Sequence, residues 1–214
     1  MLAEFGDITT DAAHGRVTHL DAVLARQGFD GFNEAVPAYV SLLVEFDPLV
    51  TDHLAVERAL RAMLATELPP VLSPAAHEVL ICYDSDLAPD LTHVAQMKGL
   101  SVDAVIAAHL SGKYSVFMYG FAPGYAYLAG VPPVLDLPRK PTAKRGVAAG
   151  SVIIAAAQCL ITTLTMPTGW WIIGRATTQI LRDDPVRPFL FDVGDTVRFR
   201  RISRVEFDAS VRTV

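Results

Sequence analysis

Apolar positions along the chain change spacing twice, and the changes divide it into three stretches. From Arg16 to Gln27, Val17, Leu20 and Leu24 recur at helical spacing and the run stops at Gly28, which predicts an amphipathic helix. Tyr39 to Phe46 is apolar and β-branched between Pro37 and Pro48, which predicts a buried strand. Thr51 or Asp52 then caps a second helix whose face is Val56, Leu60, Met63 and Leu64, ending before Pro69-Pro70. Leu68 to Pro74 reads as a stiff linker. His77 to Tyr83 predicts a strand, followed by helices over Pro89–Lys98, closed by Gly99, and Ser101–Leu110, closed by Gly112. From Ser115 the period shortens to two. Runs at 115–120, 151–157, 160–165, 170–175 and 196–202, separated by Gly/Pro turns, predict a closed or nearly closed β-barrel.

This division predicts a small α+β domain over residues 1–72 and an all-β barrel domain over 73–214. With 214 residues, 51% of them hydrophobic and 19% charged, the chain can bury a core in each part. A net charge of -5 removes any global attraction for nucleic acid or anionic lipid. The pair of helices around Gly99 has helix-turn-helix spacing, yet Ser101–Leu110 carries no Lys or Arg and does carry Asp103, which argues against DNA recognition. Without a signal-peptide pattern or a run of about 20 apolar residues, cytoplasmic residence is the expectation. Cys82 and Cys159 are expected as two buried free thiols. The six histidines show no metal-ligand spacing, so no metal site is expected.

The stretch from Phe117 to Arg175 stands apart. Residues 120–150 contain five glycines and five prolines, too many for regular structure throughout. Long ordered loops in compact domains are usually functional, although a structural loop over a barrel mouth has the same composition. From Leu137 to Arg182 there is no Asp or Glu, while Arg139, Lys140, Lys144, Arg145, Arg175 and Arg182 make the window +6. Guanidinium groups recognise carboxylate and phosphate in bidentate fashion, so a small anionic ligand is the functional reading and a solvated basic loop the structural one. Tyr119, Phe121, Tyr125 and Tyr127 surround Pro123-Gly124 and can wall a pocket or close the barrel's end. Trp170-Trp171 reads as a strand alternating inward and outward. Gln158, an amide in an apolar strand, must find partners, either a ligand amide or backbone groups. His109, the histidine nearest the loop in sequence, is the candidate acid/base, with a structural histidine at a helix end as the other reading. No nucleophile elbow, P-loop or dinucleotide fingerprint occurs, so a self-sufficient hydrolase or kinase is hard to build from this chain.

Several of these segments resemble one family. Val36-Pro-Ala-Tyr-Val-Ser-Leu-Leu-Val-Glu-Phe-Asp-Pro48 and Tyr119-Gly-Phe-Ala-Pro-Gly-Tyr-Ala-Tyr-Leu-Ala-Gly-Val-Pro-Pro133 are similar to hallmarks of the allophanate hydrolase subunit 1 family. That family includes the B subunit of 5-oxoprolinase and KipI-like kinase inhibitors. Pro138-Arg139-Lys140, Gln158, Gly169-Trp170 and Ile173-Gly174-Arg175 continue the match, which runs over residues 33–200. The resemblance implies a cyclophilin-like barrel behind an α+β domain, which together with a larger subunit of the same barrel type resembles the carboxyltransferase domain of urea carboxylase. It also implies a larger partner, of the type of allophanate hydrolase subunit 2 or the C subunit of 5-oxoprolinase, a third lactam-handling protein, and ATP in the assembled enzyme. The implied activity is hydrolysis of a small anionic amide or lactam, with this chain inactive alone. The expected catalytic residues are His109 and Gln158; the expected substrate-binding residues are Tyr119, Phe121, Pro123, Gly124, Tyr125, Arg139, Arg145, Trp170 and Arg175. The KipI likeness implies a second reading, a regulator that inhibits a sensor histidine kinase. The sequence departs from the family after Gln158, where Cys159-Leu160-Ile161-Thr162 replaces Thr-Gly-Ile-Tyr, and at Thr168, which stands for a glycine.

Overall fold

The computed structural model describes residues 1–66 and 74–212. The chain forms two compact units, Met1–Pro74 and Ala75–Val214. Apart from Pro74, the expected linker lies outside the described residues, as does the Pro69-Pro70 helix stop.

The first unit holds strand β1 (Leu2–Glu4), helix α1 (Asp11–Gln27), strands β2 (Phe32–Pro37) and β3 (Ser41–Phe46), and helix α2 (His53–Leu64). The strands form an antiparallel sheet in the order β1-β3-β2. Leu42 and Val44 of β3 face Val17, Leu20 and Leu24 of α1 and Val56 and Leu60 of α2, forming a core with no solvent access at most positions. The predicted apolar faces are therefore the ones buried. Helix α1 starts earlier than expected because Thr10 caps it, its side chain accepting from the Ala13 amide. Of the two candidate caps for α2, Asp52 accepts from Ala55 N–H at 2.8 Å. Strand β2 was not legible in the sequence, since its exposed Asn33 and Glu34 break the apolar run.

The second unit runs through β4 (Ala76–Cys82), α3 (Leu91–Lys98), α4 (Val102–Ser111), β5 (Tyr114–Tyr119) and β6 (Ala126–Ala129). A 3-10 turn (Pro133–Leu135) follows, then β7 (Lys144–Val147), β8 (Ser151–Ala155), β9 (Gln158–Ile161), β10 (Met166–Thr168), β11 (Trp171–Ala176), β12 (Thr196–Arg201) and α5 (Arg204–Arg212). Seven strands close a barrel in the order β11-β4-β12-β5-β6-β9-β8. All neighbours in it are antiparallel except β4 and β12. Each of the seven sends alternate residues into one interior cluster, among them Ile81, Tyr114, Leu128, Ile154, Cys159, Ile173 and Phe199. Helices α3 and α4 add Val94, Val105 and Ile106 to that cluster. Ser101 caps α4, and Gly99 ends α3 in the left-handed conformation.

The opposite parity of the same strands builds a second core on the outer wall. Ile153, Leu160 and Ile172 face outward there and are covered by Tyr125, Val147 and Trp170. Strands β7 and β10 pair with each other, not with the barrel, and lie over this wall. This double coverage explains why β8 is buried at every position. The segment rich in Gly and Pro is irregular over most of its length, as expected, with β6 and β7 as short strands within it. One expectation is corrected: the predicted 160–165 strand stops at Ile161, with β10 beginning at Met166. Both cysteines are free and buried, as expected.

Candidate functional site

A cavity of about 160 Å³ opens on the outer wall, lined by Phe121, Tyr125, Tyr127, Arg139, Thr168 and Trp170 over the floor of Ile153 and Leu160. Four of the eleven expected site residues meet here: Phe121, Tyr125, Arg139 and Trp170. They converge because Trp170 takes the outward parity while Trp171 points into the barrel. The Arg139 guanidinium lies over the Trp170 ring, 5.7 Å from its centroid, and Tyr127 meets the same ring edge-on at 5.9 Å.

Both arms of the cavity are anchored. The Pro138–Lys140 segment is held on three sides: Trp171 Nε1 donates to the Pro138 carbonyl at 2.7 Å, Lys140 N–H donates to the Gly169 carbonyl at 2.7 Å, and Lys140 Nζ pairs with Asp90 Oδ2. Asp90 Oδ2 also accepts from Ile172 N–H at 2.7 Å, tying the N-terminal end of α3 to β11. Lys140 is therefore consumed by structure, and Arg139 beside it is left to face the cavity. On the other side, Phe121 adopts a positive φ of 72° while 76% exposed. A turn holds this conformation through Gly120 N–H to Tyr125 O and Tyr125 N–H to Ala122 O. A left-handed aromatic residue costs about 1 kcal/mol or more and persists where surrounding contacts impose it, often at functional sites.

Electrostatics favour an anion. Burial raises the Tyr125 phenol to about 12, and Tyr127 is raised by burial against the opposing pull of Arg139. Both stay protonated and can donate. Tyr125 already donates to Met166 Sδ. Among the described residues Arg139 has no ion-pair partner, and no Asp or Glu lines the cavity. Among the described residues no His, Cys or Ser lines it either, so the cavity can bind and orient, and the phenols of Tyr125 and Tyr127 are the proton donors it offers.

The remaining expected residues lie elsewhere. His109 is fully buried inside the barrel, where Nδ1 meets the Tyr83 hydroxyl at 2.7 Å and Nε2 approaches Cys159 Sγ at 3.6 Å. Burial pushes it down to about 3, leaving a neutral core group, so the structure gives no support to the acid/base role nominated for it. Gln158 is half-buried at the start of β9, paired with Ala129 and Ala155, and outside the cavity. Tyr119 donates to the Phe191 carbonyl at 2.6 Å and stacks on Phe189. The Pro123 carbonyl accepts from Thr163 Oγ1 at 2.6 Å, and Gly124, at φ 71°, packs against Leu181; both shape the turn and are not among the residues lining this cavity. Arg145 is exposed on β7. Arg175 lines a different cavity. The sequence did not disclose the part played by Asp90 and Lys140, because a pairing across 50 residues leaves no local signal and Asp84 and Asp86 stand beside Asp90 in the chain. Among the described residues no group of three or more His, Cys, Asp or Glu is placed to hold a metal, and no helix is long and apolar enough to cross a membrane.

Comparison with known proteins fits this architecture. The B subunit of Bacillus subtilis 5-oxoprolinase is 34% identical over 98% of this chain and 92% of its own length. The crystal structure of TTHA0988 matches with a TM-score of 0.83 and 34% identity, over 95% of this chain but 39% of that one. The present chain thus spans well under half of that larger protein. Kluyveromyces lactis urea carboxylase shares the fold at a TM-score of 0.78 and 18% identity, over 97% of this chain and 21% of that one. Residues 1–191 match the carboxyltransferase domain, subdomain C and D, and the chain belongs to that family.

Proposed function

We propose that this chain is a hydrolase subunit of a multi-subunit 5-oxoprolinase-type enzyme, inactive without its partners. Its part is to bind a small anionic amide or lactam in the outer-wall cavity. The observation that carries this reading is the unpaired Arg139 guanidinium, fixed over Trp170 in an aromatic cavity of about 160 Å³ without any carboxylate. That volume suits a five-membered lactam carrying one carboxylate. Arg139 takes the carboxylate, the Tyr127 hydroxyl serves as a neutral donor, and the Trp170 and Phe121 rings cover the ring faces. Identity of 34% to the B subunit of a 5-oxoprolinase along nearly the whole chain supports the substrate class.

In this reading residues 1–72 form the α+β domain and 73–214 the cyclophilin-like barrel. The larger partner, of the type of the 5-oxoprolinase C subunit, supplies the remaining reacting groups, with a third protein handling the lactam; among the described residues the lining itself offers only tyrosine phenols and Arg139. ATP belongs to the assembled enzyme. The 160 Å³ cavity is too small for a nucleoside triphosphate, and the sequence offers no phosphate-binding glycine loop. On this reading the aromatic cavity is not the ATP site, and the assembled enzyme works in the cytoplasm.

The test is ATP- and 5-oxoproline-dependent glutamate formation by the proteins of the neighbouring genes, with and without this chain. Activity is expected only with it, and Arg139→Met is expected to raise KM at least tenfold. Activity unchanged by omitting the chain would refute the proposal. Arg145→Ala serves as a control that leaves KM unchanged, because Arg145 lies outside the cavity.

A further inference from the structure

Strand β11 contains a bulge that alters where Arg175 points. Trp171 and Ile173 face the barrel interior, so a regular period of two would turn Arg175 inward as well. The register with β8 shifts between Ile172 and Gly174. Gly174 faces inward directly after Ile173: a Cβ there would lie 2.6 Å from Ile81 Cδ1, a core atom. Parity is thereby inverted. Ala176 joins the interior cluster, and Arg175 emerges on the outer face between Cys82 and Ser151. Bulges next to functional sites commonly re-aim a side chain in this way.

Arg175 emerges into a cavity of about 610 Å³ between the barrel wall, the 177–181 segment and α5. Among the described residues it is the only charged side chain on the lining and has no ion pair, and it is half-buried. Most lining hydroxyls are committed to backbone. Thr162 donates to Ala148 O, Thr163 donates to Pro123 O, Thr178 accepts from Leu80 N–H, and Ser210 donates to Glu206 O. Arg175, Thr177 and Gln179 remain for a ligand, and the lining also carries the apolar side chains of Ile180, Leu181 and Phe207. An unpaired, partly desolvated guanidinium sharing a cavity with apolar side chains matches an anion that carries its own hydrocarbon.

We infer that this cavity is a second binding site, separate from the aromatic one, for a monocarboxylate with an apolar body. Arg175 binds the carboxylate, Gln179 and Thr177 assist, and Ile180, Leu181 and Phe207 cover the hydrocarbon.

The test is isothermal titration calorimetry of the intact chain with octanoate, octylamine and inorganic phosphate. Octanoate is expected to bind saturably at one site. Octylamine should show no binding, and phosphate should bind at least tenfold more weakly than octanoate. Arg175→Met should weaken octanoate at least tenfold, while Arg139→Met leaves it unchanged. Leu181→Trp, which fills the cavity without touching the charge, should also weaken it and keeps the test decisive if Arg175→Met fails to fold. Absence of octanoate binding, phosphate binding as tight as octanoate, or sensitivity to Arg139→Met in place of Arg175→Met would overturn the inference. Loss of 5-oxoproline turnover bears only on the aromatic cavity, so the two readings fail separately.

Discussion

Asp90 offers the sharpest test of how the aromatic cavity is held in place. Its Oδ2 receives both the Lys140 ammonium and the Ile172 amide, and the two charged side chains, Lys140 and Asp90, are only 10% and 18% exposed. Asp90→Ala would strand a nearly buried ammonium and an amide at once. Breaking a buried pair from one side costs about 3–5 kcal/mol. Residual solvent at both groups lowers the expectation to about 2–4 kcal/mol. Lys140→Met is gentler, because Asp90 keeps the Ile172 N–H; about 1–2 kcal/mol is expected. The double variant should therefore be more stable than Asp90→Ala alone, since no unpaired ammonium remains. Urea unfolding followed by tryptophan fluorescence measures this in the right place, because both tryptophans belong to the barrel unit and leave the N-terminal unit silent. Equal costs for the two single variants, or strict additivity in the double, would refute the asymmetry and with it the assignment of Asp90 as the shared acceptor.

His109 gives a pH signature. Its folded pKa, about 3, lies below the ordinary 6.5, so the unfolded chain binds the proton first. Its contribution to stability is complete above pH 6.5 and is lost as pH falls toward 3, amounting to about 2 kcal/mol by pH 5. His109→Gln should flatten the pH dependence of the urea midpoint over that interval; an unchanged slope would show that another group dominates. Gly130→Ala should prevent folding of the barrel, because at φ 103° its Cβ would lie 2.0 Å from the Lys113 carbonyl oxygen; soluble protein with native fluorescence would contradict this backbone approach.

The sequence alone disclosed most of the architecture. Helical spacing at Val17, Leu20 and Leu24, the Thr51/Asp52 cap candidates, the helix start near Ser101, the Gly99 stop and the short strands after residue 115 are local signals, and each corresponds to an observed element. The aromatic and arginine members of the cavity were also visible, because a Gly/Pro-rich segment and an acid-free basic window are compositional facts. Tertiary structure alone decided which cation is spent and which is free. Lys140 and Arg139 are neighbours in sequence, but only folding brings Asp90 to Lys140 and leaves Arg139 above Trp170. It also separated Arg175 from Arg139, through a one-residue bulge at Gly174 that no periodicity reveals, because strand parity depends on register with neighbouring strands. It buried His109 as well: position next to a functional loop in sequence carries no information on depth, which is set by the closure of seven strands around it.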